Sequence, residues 1–151
     1  MLYQTILGIH VFALLAALLL FASGEFLLFL ARRGRSAPAR MALLASSSGE
    51  LMAGIGVLGG IVLVFVGGWS LLTPWLLASF VAIAALILIG RKFVRPWEVR
   101  VRSALRSGAS STQLEAFVRE KTALIARVTV IALFGVIAGL MTVKPALALF
   151  S

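Results

Sequence analysis

Residues 71–90 read LLTPWLLASFVAIAALILIG and contain no charged side chain. A helix needs roughly 20 mainly apolar residues to cross the hydrocarbon core of a bilayer, and this stretch is long enough. The stretch lacks the period-2 alternation of a barrel strand, and inside lipid a helix satisfies its own backbone groups. We therefore predict a transmembrane helix here.

Three further stretches meet the same criterion. We predict four helices, at about residues 6–31, 41–67, 71–92 and 112–143. The fold class is all-α: a polytopic membrane protein whose four transmembrane helices form one bundle and a single domain over residues 1–151. A basic amphipathic linker is expected between the third and fourth helices.

The composition excludes a water-soluble globule. The chain is 62% hydrophobic and 13% charged, whereas a soluble domain is about a quarter charged. It has a formal net charge of +9 and no Cys, which excludes disulfides, Cys-ligated metals and a thiol nucleophile. No groove-reading motif accompanies the basic charge, so we expect no nucleic-acid partner.

The basic residues predict the orientation of the helices. Four Arg follow the first helix between positions 32 and 40, and nine more basic residues lie within residues 91–127. Residues 67–70 carry no charge. The positive-inside rule then places both basic loops in the cytoplasm and both termini outside a bacterial inner membrane. Trp69, Trp75 and Trp97 fit interfacial anchors.

The linker is predicted to be a basic amphipathic helix. Val94, Trp97, Val101 and Leu105 share one arc of a helical wheel, and the neighbouring arc holds Arg91, Arg95, Arg102 and Arg106. This pattern suits binding to anionic headgroups of the bilayer, although the arginines would also serve simply to enforce topology.

Two local signals in the linker predict where its helices bend and begin. Pro96 is expected to kink the helix near the membrane surface. Residues 112–115 read as a capping box that opens the fourth helix, whose first turns would project into the cytoplasm.

Small residues form stripes on two of the predicted helices. They permit close helix approach, which matters in lipid because apolar side chains give no driving force for association there. We expect helix packing at these positions, or alternatively room for a flat cofactor or lipid. The residues are Gly49, Ala53, Gly56, Gly60 and Gly67 on the second helix, and Gly135 and Gly139 on the fourth.

Two intramembrane acidic residues, Glu25 and Glu50, lie at comparable depths below the basic boundary. Burying a charge in lipid is costly, so each needs a partner. The two carboxylates would meet across the first hairpin and share a proton, or each would pair with an arginine such as Arg32, Arg40 or Arg127.

His10 is the only histidine, and it lies in the outer half of the first helix. A buried imidazole ligates haem iron or another metal, relays a proton, or hydrogen-bonds a backbone carbonyl. Lys144 precedes Pro145 at the predicted end of the last helix. There it would snorkel to the surface, or attract a carboxylate or propionate from the same side as His10.

The ends of the chain resemble a set of small bacterial four-helix membrane proteins. The matching residues are Ile9-His10-Val11, the basic first loop, and Met141-Thr142-Val143-Lys144-Pro145. The set comprises a predicted integral membrane family, the membrane domain of the copper resistance protein D family, and the four-helix protoporphyrinogen oxidase. The resemblance implies His10 and Lys144 as cofactor-binding positions, His10 as a metal ligand, and haem or a porphyrin as the cofactor.

Three functional hypotheses follow. The first is a redox-associated or haem-associated membrane protein acting through His10. The second is a structural subunit of a larger membrane complex or a homo-oligomer, and the third is a proton or ion pathway through Glu25 and Glu50. No catalytic triad, phosphate loop, dinucleotide fingerprint or zinc motif is present, so the sequence assigns no catalytic residue and no enzymatic activity.

Overall fold

The computed structural model describes the backbone of residues 1–148 and the side chains of residues 1–142. Within that range all regular structure is helical. A π-helical turn, Gly90–Val94, connects the third α-helix to the fourth. The α-helices are α1 (Leu2–Ala31), α2 (Ser36–Val66), α3 (Pro74–Ile89), α4 (Arg95–Arg106), α5 (Ser111–Val118) and α6 (Lys121–Ala148).

The prediction of four membrane-length helices is confirmed. Four stretches are long and apolar enough to cross a membrane: Leu2–Ala31, Ser36–Val66, Pro74–Arg106 and Lys121–Thr142. The second helix begins at Ser36 rather than near residue 41. Pro38 is compatible with that early start because the first turn of a helix needs no backbone N–H from it.

The helices associate as two closely packed pairs, α1 with α2 and α3 with α6. Residues 32–35 connect the first pair and include Gly34, whose φ of 73° lies in the left-handed region. An added Cβ at Gly34 would lie 2.7 Å from the Ser111 backbone oxygen, so a side chain is excluded there. This contact ties the first loop to the start of α5.

The linker differs from the predicted kinked surface helix. The third span continues through the π-helical turn into α4, and the Arg95 N–H donates to the Gly90 carbonyl. Pro96 follows directly, and its ring would clash with the carbonyl four residues earlier in a regular α-helix. The structure therefore has a wider, π-helical turn at the place where the sequence predicts a kink.

The apolar face of α4 is buried inside the protein rather than in the headgroup layer. It joins a cluster, here named the basic-end core, that draws on five helices. Its members are Leu28, Ala31, Ala39, Ala42, Leu43, Trp97, Val101, Leu114, Val118 and Ala123. Trp97 is 1% exposed, so the prediction that it is an interfacial anchor is wrong.

The two remaining tryptophans pack together at the opposite end of the molecule. The Trp69 and Trp75 rings meet edge to face with centroids 5.7 Å apart. Trp75 is buried in a cluster with Val64 and Leu76, so it is not a lipid-facing anchor, whereas Trp69 remains partly exposed. Of the three tryptophans, only Trp69 is exposed enough to fit the predicted role of an interfacial anchor.

The predicted start of the last helix is wrong in two respects. The capping box consists of Ser110 and Gln113, each side chain accepting from the other residue's backbone N–H, and it opens the short helix α5. A break at 119–120 separates α5 from α6. Leu114 and Val118 enter the basic-end core, so α5 lies against the bundle and does not project from it. At the other end, α6 extends to Ala148, beyond the predicted limit of 143.

Candidate functional site

A cavity of about 520 Å³ lies between the two helix pairs. This volume falls within the range of small-molecule sites, and most of the lining is apolar. His10 and Met141 line the cavity on the side away from the basic loops, whereas Glu25 and Arg127 line it toward them. His10 and Glu25 are about 22 Å apart along α1, so the cavity is long.

His10 is 6% exposed, and its Nδ1 lies 2.7 Å from the Gly56 carbonyl oxygen on α2. A carbonyl only accepts, so Nδ1 carries the hydrogen and donates it. In the neutral ring, Nε2 then carries the lone pair. Nε2 makes no hydrogen bond to the described residues, and the ring lines the cavity. The carbonyl bond considered for His10 is present, and it leaves Nε2 available to a ligand.

The glycines of α2 accommodate side chains of α1. An added Cβ would lie 2.9 Å from a ring atom of Phe21 at Gly49, 2.5 Å from Leu14 at Gly56, and 2.9 Å from His10 Cε1 at Gly60. These three glycines therefore permit helix packing, and the space beside them is filled by α1 rather than by a cofactor.

The other small residues of the predicted stripes have different surroundings. Ala53 lines the cavity, and Gly67 ends α2 against the side chain of Trp69. Gly135 and Gly139 would meet nothing within 4 Å if a Cβ were added. The expected packing of α6 through these two glycines is therefore absent within the described chain.

Glu25 pairs with Arg127 where the cavity meets the basic-end core. The Arg127 Nε lies 2.5 Å from Glu25 Oε1, and Nη2 lies 3.5 Å from Oε2. The guanidinium carbon lies 4.1 Å from the centroid of the Trp97 ring, a cation–π contact. Trp97 Nε1 donates to the Phe117 carbonyl at 2.8 Å, so α4 and α5 hold the ring beneath the arginine. Arg127 is one of the partners that the sequence predicts for Glu25.

Glu50 pairs with an arginine that is not among the partners predicted from the sequence. Arg95 Nη1 lies 3.7 Å from Glu50 Oε2, and both side chains are substantially exposed. Each of the two carboxylates thus has an arginine partner, and the alternative of a shared proton between Glu25 and Glu50 is not the arrangement in the structure.

Glu98 is a polar residue of the site that is not predicted from the sequence. It is 5% exposed, lines the cavity, and accepts a hydrogen bond from Ser46 Oγ. The spacing nonetheless indicates that Glu98 is buried, because it lies four residues after Val94 and three before Val101 on the buried face of α4.

The four arginines predicted to bind headgroups have unequal surroundings. Arg102 is partly buried and donates from Nη2 to Ser47 Oγ at 2.5 Å. Arg91, Arg95 and Arg106 are exposed. The side chain of Lys144, the second predicted cofactor-binding residue, lies outside the described residues.

The described residues contain no group of three or more His, Cys, Asp or Glu side chains able to hold a metal ion. His10 is the only imidazole that the chain could offer to a metal in this cavity. Comparisons of the chain with protein-family models, curated proteins and solved structures found no match. The assignment of a function therefore rests on the geometry of the cavity and of His10.

Proposed function

We propose that the protein binds a membrane-soluble, mainly apolar ligand in the cavity between the helix pairs and ligates it through His10 Nε2. The observation that carries this proposal is the 2.7 Å bond from His10 Nδ1 to the Gly56 carbonyl. Metal-ligating histidines commonly donate their other ring N–H to a carbonyl or carboxylate, which fixes the tautomer and the ring orientation. The mainly apolar lining suits the body of such a ligand.

Haem is the first candidate ligand. A neutral imidazole is a common axial ligand of haem iron, and haem would supply redox chemistry when bound. The chain contains one His, so it offers one imidazole per haem unless two chains contribute one each. The resemblance of residues 9–11 and 141–145 to a set of small membrane proteins that includes a protoporphyrinogen oxidase supports the same candidate.

The proposal is tested by adding haem to the detergent-purified protein and recording an absorption spectrum. We expect a Soret band that His10→Ala removes and that added imidazole restores, because free imidazole can occupy the vacated space. The rescue separates loss of a ligand from loss of the fold. A colourless wild-type protein after haem addition, or an unchanged band in His10→Ala, contradicts the proposal.

We also propose a location and an orientation. Since the loop at 32–35 and the segment at 91–120 carry most of the basic residues, the positive-inside rule places them in the cytoplasm of a bacterial cell. The protein would then lie in the inner membrane, with residues 67–73 and both termini outside.

A structural or accessory role is a second candidate, favoured by one observation. Gly135 and Gly139 lie on α6 with open space beside them, as close approach of a helix from another subunit requires. Recovery of a stoichiometric partner that is lost on replacing both glycines by Leu would favour this role. A proton pathway is less well supported, because Glu25 and Glu50 are both engaged by arginines.

A further inference from the structure

The cavity has a side opening between α2 and α3, two helices that make almost no contact with each other along most of their length. Leu58 and Ile61 of α2 line the cavity and yet are 65% and 38% exposed. Ile87 of α3 also lines the cavity and is 49% exposed. Because these three residues face both the cavity and the outside of the protein, the cavity opens to the outside between them. This passage is here named the lateral opening.

Both ends of the lateral opening are closed. Away from the basic loops, the packing of Val64 against Trp75 and Leu76 joins the two helices. At the basic end, α4 meets α2 through the Glu50–Arg95 ion pair and the Ser46–Glu98 hydrogen bond. The span from Glu50 to Ile61 along α2 is about 16 Å.

This length matches one leaflet of a bilayer. The hydrocarbon core is about 30 Å thick, so each leaflet contributes about 15 Å. Because α2 and α3 are both membrane-length helices, the lateral opening faces the acyl chains of the surrounding lipid. Its sides are apolar, as an entering acyl chain requires.

The basic end of the lateral opening carries positive charge where a headgroup would lie. Arg91 lines the cavity, is exposed, and has no ion-pair partner among the described residues. Arg95, one helical turn further on, lies 3.7 Å from Glu50 in a pair that is largely exposed on both sides. Such a pair holds its arginine weakly, which leaves Arg95 able to turn to a second anion.

We propose that an anionic phospholipid of the surrounding bilayer inserts one acyl chain through the lateral opening into the cavity, with its phosphate on Arg91 and Arg95. The acyl chain lies along the apolar sides formed by α2 and α3. This site does not use His10 as a ligand: the phosphate lies at the basic end of the lateral opening, and the acyl chain extends from there along α2 toward Ile61.

Two observations favour an anionic phospholipid over other apolar occupants. The exposed and uncompensated Arg91 selects a negative headgroup, and an arginine fork matches phosphate oxygens in a bidentate manner. The phosphate of a bilayer phospholipid lies at the edge of the hydrocarbon layer. Arg91 and Arg95 lie at the corresponding place in the protein, where the apolar part of the third span ends. A free fatty acid shares the chain and the charge, so the experiment includes it.

Two variants and two matched controls test the site. Gly54→Phe places a ring at the lateral opening without a clash, because nothing lies within 4 Å of an added Cβ at Gly54. Gly8→Phe is its control, since Gly8 has the same open surroundings on α1 and does not line the cavity. Arg91→Gln removes the proposed phosphate ligand, and Arg33→Gln removes an exposed arginine that does not line the cavity.

The protein is reconstituted in vesicles of equal parts phosphatidylcholine and phosphatidylglycerol, extracted in mild detergent, and weighed by native mass spectrometry. We expect one phosphatidylglycerol to remain on the wild type, on both controls and on His10→Ala. Gly54→Phe should lose it, and Arg91→Gln should bind it roughly tenfold more weakly, as loss of a charge-assisted hydrogen bond predicts.

Three results would overturn the proposal. They are equal retention of phosphatidylcholine and phosphatidylglycerol, equal retention by Gly54→Phe and Gly8→Phe, and preferential retention of oleate when it is added to the vesicles. Retention by His10→Ala separates this site from the proposed haem function, because haem binding requires His10 and this site does not.

Discussion

Polar side chains between the helices are paired by groups on other helices. His10 of α1 donates to a carbonyl of α2, Glu98 of α4 accepts from Ser46 of α2, and Glu25 of α1 pairs with Arg127 of α6. An unpartnered polar group in such surroundings costs several kcal/mol by order of magnitude, so each pair constrains which helices can be neighbours. The α1–α6 contact depends most clearly on such a pair.

Removing one member of the Glu25–Arg127 pair should destabilise the protein more than removing both. The side chains are 22% and 9% exposed, so either one left alone is a poorly solvated charge. We expect Glu25→Leu to lower the free energy of unfolding by about 3 kcal/mol, and the double variant Glu25→Leu/Arg127→Leu to recover most of it. Unfolding in a detergent mixture of rising denaturing strength measures both values.

The Glu50–Arg95 pair is the matched comparison. Its side chains are 46% and 68% exposed and 3.7 Å apart, so Glu50→Leu should change the free energy of unfolding by at most about 1 kcal/mol. Equal decreases in the free energy of unfolding for Glu25→Leu and Glu50→Leu would show that burial of the Glu25–Arg127 pair has no energetic consequence.

The sequence predicts these residues better than it predicts their partners. His10, Glu25 and Glu50 are conspicuous because each is polar within an apolar run, and Arg127 lies at the edge of one. The partner Arg95 and the buried Glu98 lie in the basic linker, where charge is expected, so their roles become visible only when α4 packs on α2. Depth along a helix can be read from the sequence, whereas the rotation of one helix against another cannot.

At the scale of elements, the π-helical turn sets how α4 meets the basic-end core. Leu86 of α3 packs beside Val94, and Trp97 and Val101 continue the buried face. Eight residues separate Leu86 from Val94, about one more than two regular α-helical turns require. The extra residue is absorbed by the wide turn at Gly90–Val94, which keeps both faces directed inward.

Changing the number of residues in this turn should therefore have different effects for a deletion and an insertion. Deletion of Lys92 together with Pro96→Ala, which removes the ring that would clash in a regular helix, should convert the wide turn to a regular α-helical turn and leave Trp97 buried. Insertion of one Ala after Lys92 in the same Pro96→Ala background should rotate α4 by about 100° and expose Trp97 and Val101. Trp97 fluorescence, measured in variants with Trp69 and Trp75 replaced by Phe, reports its burial as emission wavelength.

The position of the emission maximum decides between two accounts of the turn. A strong red shift of the Trp97 emission on insertion, with little change on deletion, fits a turn that absorbs one extra residue and keeps the buried faces of α3 and α4 directed inward. Equal red shifts in both variants would mean that the turn has no such role and that any change of length there unfolds α4.

The linker also shows why its surroundings could not be predicted from the sequence. Its amphipathic pattern correctly indicates a helix with one apolar face, and that face is present at Val94, Trp97 and Val101. Such a pattern specifies that the apolar face is covered, but not whether lipid or protein covers it. In this protein α1, α2, α5 and α6 cover it, so less of the linker's apolar surface is left for the membrane.

At the scale of the whole molecule, two helix pairs meet at the basic end and separate between α2 and α3. The joined end contains the basic-end core and the ion pairs, and the separated part contains the cavity and the lateral opening. This arrangement requires that residues 32–35 and 107–120 lie at the same end of the bundle. The proposed membrane orientation and the proposed ligand entry both depend on that arrangement.

Because the chain contains no Cys, single cysteines can test this arrangement cleanly. Ser36→Cys and Thr112→Cys place exposed thiols at the basic end, and Ser70→Cys places one in the turn before α3. In intact cells an impermeant maleimide should label Ser70→Cys and neither of the others, because the proposed orientation places the basic loops in the cytoplasm. All three should be labelled after the membrane is dissolved, which shows that each thiol is reactive. Labelling of only one basic-end cysteine in intact cells would place the two loops on opposite sides of the membrane and so contradict both the shared core and the shared orientation.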